Sequence, residues 1–186
     1  MTKYARRTAL VVGEATGIGL AVAKRLVEGG ASVLLAARTE EERAHAVAEL
    51  GPAARVVTPS AVEAALTGEE AGAPGGSVGL LFADAVPTAR PLLPYVGDGG
   101  AIVLTAPAPC PDAVRALAAE LASRGIRVNA VAPGCIEAPG SGAVPLPPLG
   151  RLGATEEVAR AALFLATEAT FTTGARLPVD GGLGRT

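Results

Sequence analysis

Residues 10–37, LVVGEATGIGLAVAKRLVEGGASVLLAA, leave this chain few folds to choose from. An apolar run over residues 9–12 stops at Gly13, three residues intervene, and Gly17-Ile18-Gly19 opens a helical pattern. A second apolar run, residues 33–37, follows Gly29-Gly30. The spacing predicts a strand, a glycine turn, a helix and a strand. In the helix, residues 17–28, Ile18, Val22 and Leu26 recur on one face, and Gly29-Gly30 supplies a left-handed stop. Such a unit binds the pyrophosphate of a nucleotide, because glycines let backbone N–H groups approach the phosphates and the positive end of the helix favours the anion. Glu14 lies inside the loop, where a carboxylate repels a pyrophosphate unless it turns to solvent.

The alternation continues along the chain. A second helix is expected over residues 40–50, a strand over 54–57, a brief helix within 60–66 and a strand over 78–82, after a loop without periodicity over 67–77. Prolines and glycines between 87 and 100 leave space for a turn or two of helix around 92–96. A fifth strand follows at 101–105. Pro111-Asp112 starts a helix with Val114, Leu117, Ala118 and Leu121 on one face, and residues 127–132 form the sixth strand. Thr155-Glu156-Glu157 cap a helix reaching Thr167, and residues 175–179 are the last strand. Seven strands interleaved with helices imply one doubly wound, mainly parallel α/β domain of Rossmann-like type over residues 1–186. In such sheets ligands sit outside the carboxyl ends of the strands, which gathers Gly13, Arg38, Ala83, Asp84, Thr105 and Pro133 around one crevice.

Composition narrows the partners. A net charge of -2 without a basic block argues against nucleic acid and anionic membranes, and no apolar stretch reaches the length of a membrane span. With no Trp among its few aromatics, the chain offers no base-stacking platform. Two cysteines, Cys110 and Cys135, and no signal-peptide pattern point to the cytoplasm. His45, the single histidine, belongs to the second helix, and no His/Cys/carboxylate cluster suggests a metal.

Four landmarks in order carry a resemblance: Gly13-x-x-x-Gly17-Ile18-Gly19; the run ASRGIRVNAVAPG ending in Pro133-Gly134; Leu149-Gly150-Arg151-Leu152-Gly153 before Glu156-Glu157; and Val179-Asp180-Gly181-Gly182. Together they resemble the short-chain dehydrogenase/reductase family almost end to end. The resemblance implies a nicotinamide dinucleotide held by Gly13, Thr16, Gly17, Ile18, Gly19, Arg38, Thr39, Ala83, Pro133 and Gly134. A cation at Arg38, where the family grips the 2′-phosphate, implies NADP(H) rather than NAD.

The same resemblance implies a serine after the fifth strand and a Tyr-x-x-x-Lys on the next helix. Here Pro107 stands about where the serine would be, the tyrosines are Tyr4 and Tyr95, and the lysines are Lys3 and Lys24. No Tyr-x-x-x-Lys occurs. The family's Asn-Asn-Ala-Gly after strand four reads Ala83-Asp84-Ala85-Val86. Most of the helices between strands four and five, and the first turns of the helix after strand five, are missing.

Standard carbonyl reduction therefore lacks its acid, a group that typically contributes about 10²- to 10⁴-fold. The expected chemistry on a small organic substrate is an unusual redox step or a non-redox one such as isomerisation, dehydration or cyclisation. Asp84, Thr105, Cys110 and Tyr95 are the candidate catalytic groups. Each has a structural reading beside it: Asp84 and Thr105 as hydrogen-bonded strand ends, Cys110 and Cys135 as incidental thiols, Tyr95 as a phenol without an activating lysine. The alternative function is a non-catalytic nucleotide sensor or an accessory subunit docking a protein partner. Loss of the central helices would bare apolar surface, so a homodimer is expected.

Overall fold

The computed structural model describes residues 3–13, 15–68, 77–106, 109–137 and 145–184. Glu14 and Pro107 lie outside the described residues. Seven strands, β1 (Thr8–Val12), β2 (Ser32–Ala36), β3 (Ala54–Val57), β4 (Val78–Ala83), β5 (Val96–Leu104), β6 (Arg127–Pro133) and β7 (Arg176–Val179), form one sheet in the order β3-β2-β1-β4-β5-β6-β7. Every pair is parallel. The order reverses between β1 and β4, so the carboxyl ends of these two strands flank the crevice.

Six α-helices connect them: α1 (Gly17–Glu28), α2 (Glu40–Leu50), α3 (Val62–Thr67), α4 (Val86–Ala89), α5 (Pro111–Leu121) and α6 (Thr155–Thr167). Strand side chains alternate between two cores. Ala9, Val11, Leu35, Leu80, Phe82 and Val103 pack with α1, α2 and α6, whereas Leu10, Val12, Leu34, Leu81, Ile102 and Leu104 pack with α3, α4 and α5. Burial on both faces is why these strands read as continuous apolar runs.

Four local features differ from the sequence expectation. The two glycines after α1 have separate jobs. Gly30 takes the left-handed turn (φ +84), while a Cβ on Gly29 would stand 2.1 Å from the Tyr4 ring. Thr155 does not cap α6; the cap position is Ala154, whose N–H donates to Glu157 Oε2 at 2.9 Å. β5 begins at Val96 rather than residue 101. Val78 pairs with Val96 and Leu80 with Ala101, so residues 97–100 bulge opposite Gly79, with Gly99 at φ +76. The Arg124 guanidinium holds this bulge through Asp98 Oδ1 and the carbonyls of Leu93 and Val96.

The fourth difference concerns the trimmed face. Between β4 and β5 the chain carries only α4 and a 3-10 helix (Arg90–Tyr95), yet Ala89, Leu92 and Leu93 are buried there. These three side chains close the core that larger helices would otherwise cover. The most exposed large apolar residues lie elsewhere, among them Leu149, Phe164 and Phe171. Bare apolar surface at the deletion is therefore not a reason for dimerisation. Among the described residues, no helix is long and apolar enough to cross a membrane.

Candidate functional site

The glycine turn at the end of β1 leads into α1 with open space beside Gly17. Gly17 adopts φ +51, a conformation that costs an L side chain about 1–2 kcal/mol, and a Cβ there would meet no atom within 4 Å. Packing does not require this glycine; its backbone conformation does, and the space beside it is open. Thr16 occupies the N-cap of α1 without a side-chain cap bond, and no acidic residue lies in the first turn. Among the described residues, the positive end of this twelve-residue helix is therefore neither capped by Thr16 nor offset by a first-turn carboxylate. Gly13 has φ +116, and a Cβ on it would lie 2.9 Å from Asp84 Cβ and Cγ, so the turn is pressed against the end of β4.

Two cavities open here. One of about 260 Å³ is lined by Ile18, Gly19, Phe82, Asp84, Ala85 and Thr105, among others. The other, about 450 Å³, is lined by Gly13, Ala36, Arg38, Ser60, Glu63, Thr88 and Leu92, among others. Arg38 is fixed at the backbone by a reciprocal cap: its N–H donates to Glu42 Oε2 at 2.8 Å while Thr39 Oγ1 accepts from the Glu42 N–H at 3.1 Å. Its guanidinium reaches Asp84 Oδ2 at 3.3 Å. Asp84 Oδ1 is buried with no hydrogen-bond partner among the described residues.

The sequence candidates separate into those brought together and those left apart. Gly13, Ile18, Gly19, Arg38, Asp84 and Thr105 line the two cavities, whereas Thr16, Gly17 and Thr39 line neither. Thr39 has its hydroxyl oxygen engaged by α2, and Thr105 Oγ1 donates to the Ala83 carbonyl at 3.3 Å. Pro133 and Gly134 end β6, two strands from β4; Gly134 donates to Val179, and a Cβ on it would lie 2.6 Å from Asp180 Cα. A side chain at this position would collide with the residue that follows β7.

Tyr95 is misplaced for the crevice. It immediately precedes Val96, at the amino end of β5 and packed against the second core, about 17 Å down the sheet at roughly 3.3 Å per residue of β4. Cys110 is exposed at the N-cap of α5 and lines neither cavity.

Two features were missed by sequence reasoning. The Arg38–Asp84 pair joins residues 46 apart, with no local signal beyond the Asp in place of a family Asn. A cavity of about 840 Å³ at the ends of β6 and β7, lined by Cys135, Pro147, Leu149, Arg151, Glu157 and Asp180 among others, shares no residue with the other two. There Arg151 pairs with both carboxylate oxygens of Glu157, at 2.8 and 2.7 Å, and with the Ala154 N–H holds that carboxyl down to about 2. The quoted Arg151 landmark and Glu157, six residues on, were its trace in the sequence.

Family models agree with this architecture: one described as short chain dehydrogenase matches residues 7–70, and one described as enoyl-(acyl carrier protein) reductase matches residues 105–184. An oxidoreductase, asL5, of Sarocladium schorii is 32% identical, the match covering 95% of each chain. The chain belongs to the short-chain dehydrogenase/reductase family. A cis-4-hydroxycyclohexanecarboxylate dehydrogenase of Sinomonas cyclohexanicum is also 32% identical, over 96% of this chain and 97% of the relative. A crystal structure assigned as a betaketoacyl-ACP reductase superposes with a TM-score of 0.75 at 28% identity, covering 96% of this chain and 98% of that one. A Serratia marcescens short-chain dehydrogenase/reductase variant gives 0.81 at 22%, a likeness of fold.

The alignment with the Sarocladium relative runs over 238 positions against a chain of 186, so at least 52 positions have no residue here. The family is one of oxidoreductases that use NAD(P)(H). The phosphate end of such a nucleotide fits the residues present: an uncapped helix N-terminus and a glycine with open space beside it. The lysine and tyrosine that the family places at the nicotinamide end have no counterpart, since Lys24 pairs with Glu49 and Tyr95 lies at the wrong end of the sheet.

Proposed function

We propose that this chain is a shortened short-chain dehydrogenase/reductase, one unit over residues 1–186, that binds NADP(H) in preference to NAD(H) and acts on a small organic substrate. The observation that carries the reading is the unclaimed phosphate cradle at Thr16–Gly17, with Arg38 standing beside the adjoining 450 Å³ cavity. That cavity takes the adenosine end, and Arg38 takes the 2′-phosphate. The names of the relatives are those of reductases and dehydrogenases, which favours redox chemistry over isomerisation, dehydration or cyclisation.

Asp84 and Thr105 are the polar side chains that line the 260 Å³ cavity, and Asp84 is paired with Arg38. Turnover is expected about 10²- to 10⁴-fold below that of a relative with its acid in place. The absent Tyr-x-x-x-Lys favours a second reading, a nucleotide sensor without turnover.

The homodimer is retained as an expectation, resting on exposed Phe164 and Phe171 instead of the trimmed face. Arg38→Met tests the cofactor assignment. Loss of a charge-assisted contact to phosphate predicts NADPH binding about 10-fold weaker, with NADH unchanged or tighter by a few-fold. Equal effects on both nucleotides remove the 2′-phosphate role. Saturable NADPH binding without consumption across a panel of small ketones selects the sensor.

A further inference from the structure

Arg38 follows β2, Asp84 follows β4, and β1 lies between them, so their ion pair spans the end of β1 across two strand spacings, about 10 Å. Gly13 lies at that end, where a Cβ would stand 2.9 Å from the Asp84 side chain. Arg38 lines the 450 Å³ cavity and Asp84 the 260 Å³ cavity, and Val12 is common to both. The pair stands on the boundary of the two spaces. A ligand confined to one cavity leaves it alone; a ligand that runs from one to the other along the glycine turn has to cross it.

We propose, building on the nucleotide reading above, that Arg38–Asp84 is a bar across the crevice, and that Asp84 is a specificity-determining residue acting against ligands that occupy both cavities. The bar is weak enough to open. Contact is through a single guanidinium nitrogen and Oδ2 at 3.3 Å, the other carboxylate oxygen has no hydrogen-bond partner among the described residues, and the Arg38 and Asp84 side chains are 53% and 37% exposed. Exposed ion pairs of this kind shift equilibria by about 1.5- to 5-fold. A dinucleotide bears that factor on entry. One with a 2′-phosphate gives Arg38 a new anion in place of Asp84, whereas one without leaves Arg38 unpaired.

Asp84→Asn keeps the shape packed on Gly13 and removes the charge that holds Arg38. Titration of wild type and variant with adenosine, NADH and NADPH is the test, because adenosine is uncharged and small enough for one cavity. The bar predicts that both dinucleotides tighten about 1.5- to 5-fold in Asp84→Asn while adenosine is unchanged, which also reports an intact fold. It further predicts that the NADH gain vanishes when Asp84→Asn is made on top of Arg38→Met, since no bar then remains to remove. A gain that persists or grows without Arg38 makes Asp84 a repelling charge and overturns the proposal, as do unchanged dinucleotide affinities beside normal adenosine binding. Failure of all three ligands to bind the wild type removes the nucleotide reading itself and the bar with it.

Discussion

Gly17→Ala separates what the glycine turn does for the fold from what it does for a ligand. The substituted residue has to keep φ near +51, which for an L side chain costs about 1–2 kcal/mol. No steric cost is added, because the new Cβ meets nothing within 4 Å. For a chain of this length each kcal/mol moves the melting temperature by about 2–4 °C, so the variant should melt about 2–8 °C lower and still fold. Nucleotide affinity should fall much further. The methyl group enters the open space beside the α1 N-terminus, and losing one charge-assisted N–H contact to phosphate corresponds to about 10- to 100-fold in affinity. Thermal melting followed by a fluorescence titration with NADPH reads both quantities on one preparation. A variant that melts in the stated range yet binds NADPH within a factor of about two of wild type would show that phosphate does not use this turn, and the reasoning from Gly17 would fail.

Other consequences can be measured without a ligand. Asn129 is the single polar residue in the buried core among the described residues, donating from Nδ2 to the Thr172 carbonyl at 2.9 Å and accepting from the Ala175 N–H at 3.0 Å. Asn129→Leu strands both backbone groups and should cost about 2–5 kcal/mol in urea unfolding; a shift below about 1 kcal/mol would mean that water replaces the amide. Glu157 titrates near 2 in the folded chain, lowered first by Arg151 and then by the Ala154 N–H, against an ordinary value of 4.5. Its contribution to stability is therefore complete above pH 4.5 and disappears as the pH falls toward 2. Glu157→Gln should melt lower than wild type at neutral pH, with the two curves converging over that acid window; parallel curves down to pH 2 would contradict the assignment.

Local patterns were legible where a side chain's fate depends on its near neighbours. The faces of α1 and α5 could be read from Val22 and Leu26, and from Val114, Leu117, Ala118 and Leu121, because helical spacing alone assigns them to a core. The sheet followed from strand–helix alternation, which admits few topologies. What could not be read depends on distance and direction. Tyr95 is near the fifth strand in sequence, but parallel strands place their starts at the edge opposite the crevice, and β5 starts one residue later. Gly29 is a glycine because the Tyr4 ring lies against it, a contact across 25 residues. The trimmed face stays covered because Leu92 and Leu93 turn inward from a 3-10 helix that proline and glycine content had reduced to a turn or two. Asp84 lines a cavity at the crevice, but its pairing with Arg38, 46 residues away, left no local trace.

Calorimetric titration of the wild-type chain with NADPH, with NADH in parallel, bears most directly on the claim that the cradle still serves a dinucleotide. Saturable binding of one NADPH per chain, tighter than NADH, is the predicted result. No heat of binding from either nucleotide at millimolar concentration would contradict it.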